Sequence, residues 1–569
     1  MSSDALVYDM SSSSRQDPAV FVKKDWLSIN DDMNQNYNGN QITIQTSQLS
    51  NSNKYMDYHQ AYLQIPLLLT LTNNTPAVGA LAPATAASSC DYALGLKNWI
   101  GTIFHNFTIE YNGTTIAQQT NYLPIYNCFK LMTTLSWADT QSWSSIGFYP
   151  DNALSVSFQT ANSENGIGVA NNQNALSFPV VTGAFNSYDA ANTGLLKRQM
   201  YFNYDPQGSS GAGVANTAAY STLLGSTYAN QLYKSYIFTK QNSTAALHGV
   251  YQQAIVATCY LKHLADFFEQ IPLLKGVFLK MTFGISNTSV AFTVAAANVV
   301  QNTVVTNALG GVQPLMISSA LAGNGSNSLP QDGYIASLCV GGKCLNTTQA
   351  AIAGVVNSPL QQSVTLNVPA YTFAPQMEIA YLSNPVRRIS FRDLYQFTIQ
   401  NVASGSQMNS LISNGIANMK KVVCVPFFTA NSNGGGLHQI QSPFDSAGSG
   451  TSAPFAHLGG FNIVVSGANA FLNSVKYTYE MFNNNVYGCN SLNGGLTDGL
   501  GSSLINSLEW ETAYCYYVGD VSRALDVEKD VPKSLSIVGQ NLSGKEIDLF
   551  VFVEYGTEIV VDILTGARV

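Results

Sequence analysis

The sequence predicts an all-β protein built as two large domains in tandem, and three observations carry that reading. The chain has 569 residues, enough for two β domains, since a single β sandwich or barrel rarely exceeds about 250 residues. Short runs rich in β-branched and aromatic residues recur along it, punctuated by Asn-Gly or Asp-Gly dipeptides that begin at Asn38, Asn112, Asn165, Asn324 and Asp332, and again at Asn414, Asn433, Asn493 and Asp498. Those dipeptides adopt the positive φ angles that tight hairpin turns require. Helical periodicity, by contrast, is confined to a few short stretches.

The clearest element is a hairpin from Ile103 to Ala117. Ile103, His105, Phe107, Ile109 and Tyr111 alternate onto one face, and Asn112-Gly113 supplies the turn. The best helical signal is Leu261 to Gln270, where Leu261, Leu264, Ala265 and Phe268 fall at i, i+3, i+4 and i+7 ahead of Pro272. Two further short helices are expected near Leu131 to Trp143 and Ser502 to Leu508. A strand from Gly276 to Ile285 is read as closing the first half, and one from Ser363 to Phe373 as opening the second. Between them, Val290 to Gln362 is rich in Ala, Asn, Ser and Gly and is read as a connection with little strand pattern. The second half ends in strands Lys533 to Val538 and Ile547 to Tyr555, around the turn Asn541-Leu-Ser-Gly544. Both halves carry a strand, a Gly-containing turn and a strand at a comparable place, Asn106 to Ile116 and Asn462 to Phe471, which suggests an internal duplication. The expected division is an N-terminal arm at 1–20, a first domain at 21–289, the connection at 290–362 and a second domain at 363–569.

Composition narrows the function classes. Hydrophobic residues make up 46% of the chain and charged residues only 10%, against a usual charged share of about 25%. With 30 Tyr, 27 Phe, 5 Trp and a net charge of −8 the chain is no disordered polyelectrolyte. A surface so poor in charge fits a protein covered by other subunits, because charges are depleted at interface centres. The acidic balance gives no footprint for binding a phosphate backbone. The opening residues, MSSDALVYDMSSSSRQDP, lack the basic and apolar regions of a signal peptide, so synthesis in a cytosolic compartment is expected.

Candidate chemistry is sparse. Glu509 and Glu511 flank Trp510, and on a strand their carboxylates would share one face about 7 Å apart, near a glycosidase spacing. One strand cannot flank a scissile bond from both sides, so a solvated face is the competing reading. Asp32 to Gly39 alternates oxygen-bearing side chains, but Tyr37 and Thr43 stand where an EF-hand loop needs Gly and Glu. Eight cysteines are spread singly; only Cys339 and Cys344 are close, with no second Cys or His pair beside them to complete a metal site. The six histidines include no HExxH, and neither GxSxG nor a nucleotide-binding glycine motif is present. The basic pairs Lys23-Lys24, Lys197-Arg198, Arg387-Arg388 and Lys420-Lys421 lie far apart in sequence. No catalytic, cofactor-binding or metal-binding residue is expected.

A resemblance sharpens the picture. Tyr381-Leu-Ser-Asn-Pro-Val-Arg-Arg-Ile-Ser-Phe391, Ser442-Pro-Phe-Asp445, Tyr477-Thr-Tyr-Glu480 and Tyr514-Cys-Tyr-Tyr-Val518 running into Val521-Ser-Arg523 are followed by Pro532 to Asn541 and Ile547-Asp-Leu549. Together these resemble the C-terminal jelly roll of the major capsid proteins of virophages and polinton-like viruses. Phe267 to Gly276 is similar to that family's helix leading into the last strand of the N-terminal jelly roll, and Trp137 to Asp151 to a helical insertion there. The resemblance extends from about residue 20 to the end through scattered short motifs; Ala161 to Asn230 and Val290 to Gln362 match no pattern of the family. It implies two eight-stranded jelly rolls with short helical insertions, no enzymatic activity and no cofactor. It further implies a homotrimer forming a pseudo-hexagonal block of an icosahedral shell, with another protein at the five-fold vertices. A secreted all-β carbohydrate-binding or glycoside-processing protein is the alternative.

Overall fold

The computed structural model describes residues 20–37, 39–73, 93–119, 121–142, 148–150, 236–241, 248–295, 298–307, 311–318, 333–341, 363–429, 440, 456–472, 476–487, 504–512, 514–522, 528 and 530–568. Strands dominate. The first fifteen are β1 (Phe21–Asn30), β2 (Gln41–Gln45), β3 (Tyr55–Met56), β4 (Tyr62–Asn73), β5 (Ala93–Leu96), β6 (Phe104–Tyr111), β7 (Thr114–Gln119), β8 (Tyr236–Gln241), β9 (His248–Tyr260), β10 (Leu279–Ile285), β11 (Thr288–Ala295), β12 (Asn298–Asn307), β13 (Leu315–Ser318), β14 (Gly333–Val340) and β15 (Thr365–Phe373). The remaining eight are β16 (Val386–Val402), β17 (Gln407–Ile416), β18 (Met419–Phe428), β19 (Leu458–Val465), β20 (Ala468–Asn469), β21 (Tyr517–Asp520), β22 (Lys533–Asn541) and β23 (Ile547–Asp562).

The last eight strands form two antiparallel sheets, β16-β23-β18-β21 and β17-β22-β19-β20. Counted within the unit, the strand orders are first-eighth-third-sixth and second-seventh-fourth-fifth, the double Greek key of a jelly roll. The same two orders appear in the first unit as β1-β15-β4-β9 and β2-β10-β6-β7. The chain is therefore a tandem pair of jelly rolls, and the duplication read from Asn106 to Ile116 and Asn462 to Phe471 is real: both segments are the hairpin of fourth and fifth strands, β6–β7 and β19–β20.

Alternation builds each sheet. Along β6, His105, Phe107, Ile109 and Tyr111 are buried while Asn106, Thr108 and Glu110 are half-exposed, the period of two that a sheet with one buried face demands. The hairpin turn is at Asn112-Gly113, with φ of 46° and 80°. In the second unit Leu535, Ile537, Ile463 and Val551 are fully buried in one continuous apolar cluster that also takes in Ile42, Leu63 and Met281 of the first unit.

Several expectations need correction. The strand at 365–373 does not open the second unit; β15 lies between β1 and β4 in the first sheet, so the first jelly roll closes with it and β10 is its seventh strand. Residues 290–362 are no strandless connection: β11, β12 and β14 continue the first sheet outward from the far end of β4, and β13 pairs with β5. Local pattern could not show this, because periodicity identifies a strand but not its neighbour. The dipeptide Asn414-Gly415 makes no hairpin turn; it sits within β17 where the register against β22 shifts, and the chain reverses after it, at Asn418 with φ of 52°. The arm at 1–19, Cys344, the stretch 161–230 and the dipeptides at Asn38, Asn165, Asn324, Asp332, Asn433, Asn493 and Asp498 lie outside the described residues.

Helices are few and short. Among the described residues, besides the one-turn helix Ser47–Ser50, they are α1 (Leu123–Thr134), α2 (Trp137–Ser142), α3 (Phe267–Gln270), α4 (Pro375–Leu382), α5 (Tyr479–Tyr487) and α6 (Ser507–Thr512). The expected helix at 131–143 is thus two helices that begin earlier, with Pro124 in the first turn of α1. The one at 261–270 is a single 3₁₀ turn, Leu261–His263, followed by the one-turn α3.

Candidate assembly faces

The two jelly rolls meet through the first unit's helices. Residues 549–555 of β23 alternate, so Leu549, Val551 and Val553 face the second core while Phe550, Phe552 and Glu554 project from the opposite side of the sheet. The first unit covers that side. Tyr122, at the start of α1, sets its ring 4.7 Å from Phe550, Tyr126 lies 5.7 Å from Phe552, and Phe129 lies 5.3 Å from Tyr516. From α3, Phe267 meets Phe391 edge-on at 5.2 Å.

Polar groups pin this contact. Glu554 is buried; it accepts a hydrogen bond from the Tyr126 hydroxyl and pairs with Arg392 Nη1 at 3.2 Å. Burial first, then the Glu554 carboxylate, pushes the Tyr126 phenol well above its ordinary range, so it stays a donor. The Arg392 backbone N–H donates to Asp266 Oδ2 at 2.8 Å, and Asn112 Nδ2 donates to the Gly566 carbonyl at 2.6 Å. Asp393 accepts from the Tyr555 hydroxyl at 2.9 Å and from the Gln118 N–H at 3.4 Å. Burial raises the carboxyl pKa of both Asp266 and Asp393. A cavity of about 160 Å³ remains here, lined in part by Lys130, Asp266, Arg392, Lys421 and Glu554. Its charged groups answer one another across the junction, and the arrangement fixes two domains in one orientation.

The corresponding face of the first jelly roll is partly exposed among the described residues, although Asn367 and Pro369 on it are buried. On β1 the outward residues are Lys24, Trp26 and Ser28, opposite Tyr371, Pro369 and Asn367 of β15. Asn367 in turn stands opposite Tyr62 of β4, and Tyr62 opposite Tyr260 of β9. The result is an aromatic row, with ring centroids of Trp26 and Tyr62 5.6 Å apart and those of Tyr62 and Tyr260 5.5 Å apart. Lys24 Nζ sits 5.3 Å from the Trp26 ring centroid, and Lys262 Nζ 5.8 Å from that of Tyr260. Trp26 remains 50% exposed and Val256 39%. Among the described residues Asn367 Nδ2 is buried without a hydrogen-bond partner.

The residues singled out in the sequence do not converge. Glu509 and Glu511 lie on helix α6, not on a strand, and positions two apart on a helix do not face each other. Glu509 instead closes the helix start: its N–H donates to Asn506 Oδ1 at 2.9 Å and its carboxylate accepts from the Asn506 N–H at 3.4 Å, a reciprocal cap legible as Asn506-Ser-Leu-Glu509. That removes the carboxylate pair behind the glycosidase reading. In the acidic loop it is Asp31, not Asp32, whose side chain is engaged, accepting from Met33 N–H at 3.0 Å and the Tyr37 hydroxyl at 3.1 Å. Cys339 is buried at the end of β14. Among the described residues no group of three or more His, Cys, Asp or Glu could hold a metal ion. Of the basic pairs, Lys23 pairs with Asp25 at 3.0 Å and Arg388 with Glu558 at 3.4 Å, both on exposed surface; Lys197-Arg198 lies outside the described residues. Sequence reasoning missed the row Trp26, Tyr62 and Tyr260, because 36 or more residues separate its members and only sheet register brings them together.

No protein-family model and no curated protein matches the chain. Solved structures do. All three of the following come from viruses. A chain of the 3.5 Å cryo-EM structure of the Sputnik virophage is similar at a TM-score of 0.44 and 11% identity, over 97% of this chain and 88% of that one. The mavirus major capsid protein is similar at 0.42 and 8% identity, over 96% and 89%. The Faustovirus major capsid protein is similar at 0.42 and 9% identity, over 97% and 94%. The jelly-roll assignment follows from the strand orders themselves.

Proposed function

We propose that the chain is a structural protein, the major capsid protein of an icosahedral virus, which assembles as homotrimers into the virion shell. The observation that carries this reading is the pair of jelly rolls with one strand order, fastened side by side by a buried apolar and hydrogen-bonded junction. A chain that presents the same sandwich twice is a tile: three copies offer six sandwiches around an axis and fill a hexagonal outline. The sparse charge of the chain suits surfaces covered by neighbours. In this reading the chain is no enzyme and needs no cofactor, a different protein fills the five-fold vertices, and synthesis is cytosolic. Residues 1–20 form an arm that acts in the shell, so deleting residues 1 to 15 impairs shell assembly more than folding of the subunit.

Negative-stain microscopy of the purified protein at high concentration, or of virions, tests the proposal. Hexagonal blocks and lattice patches are expected. Dispersed particles with no lattice under any assembly condition would count against it, as would sugar hydrolysis that disappears when Glu509→Gln and Glu511→Gln are combined.

A further inference from the structure

We propose that the cavity between the two jelly rolls is a binding site for one phosphate group, either free orthophosphate or the phosphate of a small monoester. The inference goes beyond the capsid reading and does not depend on it.

Both halves of the chain build the cavity. Asn127 and Lys130 come from α1 and Asp266 stands just before α3, while Arg392, Lys421 and Glu554 come from β16, β18 and β23. Register sets the wall of the second unit. Leu394 and Lys421 stand on either side of Glu554 in the ladder, and Arg392 lies two residues before Leu394, so all four side chains leave the same face of the sheet. The volume of about 160 Å³ has room for a tetrahedral oxyanion together with water.

The groups left over in this cavity are donors. Both Glu554 oxygens are engaged, Oε1 by the Tyr126 hydroxyl and Oε2 by Arg392 Nη1, and Asp266 Oδ2 accepts from the Arg392 N–H. Burial first, and the neighbouring Glu269 as well, raise the Asp266 pKa, which moves that carboxyl toward its neutral form. Lys130 is held by Glu269 at 3.0 Å. Lys421 forms no ion pair among the described residues: its other cross-strand neighbour, Asp520, accepts from the Ser522 N–H at 2.9 Å and is not part of the lining. Asn127 is only 1% exposed, and its Nδ2 has no hydrogen-bond partner among the described residues.

A buried amide N–H without an acceptor is costly, and so is a cation facing a cavity with no counter-charge. Water meets the first need and not the second. A phosphate group meets both, since its oxygens only accept, carry the charge that Lys421 lacks, and suit the part of the Arg392 guanidinium that Glu554 leaves unused. Held between α1 of the first unit and β18 of the second, it stabilises their common orientation by mass action.

The test is isothermal titration calorimetry of the full-length protein against sodium phosphate and, in parallel, against adenosine monophosphate, with ionic strength held constant by sodium chloride. Saturable one-to-one binding of at least one probe is expected, with a millimolar or tighter dissociation constant; binding of orthophosphate alone identifies the free ion, and binding of both identifies a group that a monoester also delivers. Lys421→Met and Asn127→Leu, which keep side-chain bulk and remove the charge or the donor, should each raise that constant at least tenfold. Lys23→Met, on the exposed start of β1, should leave it unchanged. Circular dichroism melts close to wild type establish that each variant folds. The absence of saturable heat with both probes would overturn the proposal, and so would a dissociation constant within twofold of wild type in either folded variant.

Discussion

His105 sits buried on β6 with Nδ1 lacking a hydrogen-bond partner among the described residues, and burial pushes its pKa down to about 4. His263 is pushed down to about 3, by burial first and then by Lys130 and Lys262. A histidine whose pKa falls on folding favours the folded state in its neutral form. That contribution is complete above about pH 6.5, the unfolded value, and is lost as pH falls toward 4. For His105 alone the loss at pH 5 is about 2 kcal/mol at 1.36 kcal/mol per pH unit. His105→Gln should therefore narrow the gap in melting temperature between pH 7 and pH 5, and an unchanged gap would clear His105 of this role. Asp266 and Asp393 act with the opposite sign, since burial raises their pKa and their protonation on acidification favours the folded state. At the junction, Tyr126→Phe removes a donor to the buried Glu554 and leaves only Arg392, so a loss of about 1–3 kcal/mol is expected in chemical denaturation. Neither role could be read in the sequence, where Tyr126 and Glu554 are more than 400 residues apart.

At the scale of elements, legibility divided between local and distant information. The β6–β7 hairpin was legible because alternation and an Asn-Gly turn are both local, and the structure bears it out from His105 onward, whereas Ile103 ends a 3₁₀ turn, Ile100–Ile103, ahead of β6. Gly113 has φ of 80° with open space around its Cα, so Gly113→Ala meets only the backbone penalty, about 1 kcal/mol, measurable as a lower denaturation midpoint. Asn112 does more than turn the chain: it also accepts from the Phe278 N–H at 3.0 Å and donates to Gly566, tying the hairpin to β10 and to the C-terminal end of the second unit. Asn414-Gly415 carries the same dipeptide signal yet lies inside a strand, because the neighbouring β22 continues past it and a bulge absorbs the extra residues. The helix α6 overlaps the short helix expected near Ser502 to Leu508 but runs on past Trp510, a boundary marked by the reciprocal cap at Asn506 and Glu509.

At the scale of the whole molecule, the tandem arrangement was legible from chain length and the repeated hairpin, whereas the assignment of β15 was not. Its partners are β1 and β4, and nothing local to residues 365–373 says so. The trimer proposed above carries one further expectation at this scale: raising salt should strengthen or spare its apolar contacts while screening its charged ones, so the association rate should fall with ionic strength more than the trimer's lifetime. Stopped-flow light scattering against salt measures both. The place of β15 has a different consequence, one of timing. Phe21 pairs with Phe373, so β1 waits for about 350 further residues before its neighbour exists. At a synthesis rate of roughly 5–20 residues per second the wait is on the order of 20 to 70 s. Throughout it, β1 and the apolar run of β4 emerge from the ribosome as open edges in search of a strand. The second jelly roll waits about half as long, because Val386 of β16 pairs with Asp562 of β23. Yield in a foreign host is thus set by whatever holds residues 21 to 73 apart from their counterparts on other nascent chains until residue 373 arrives.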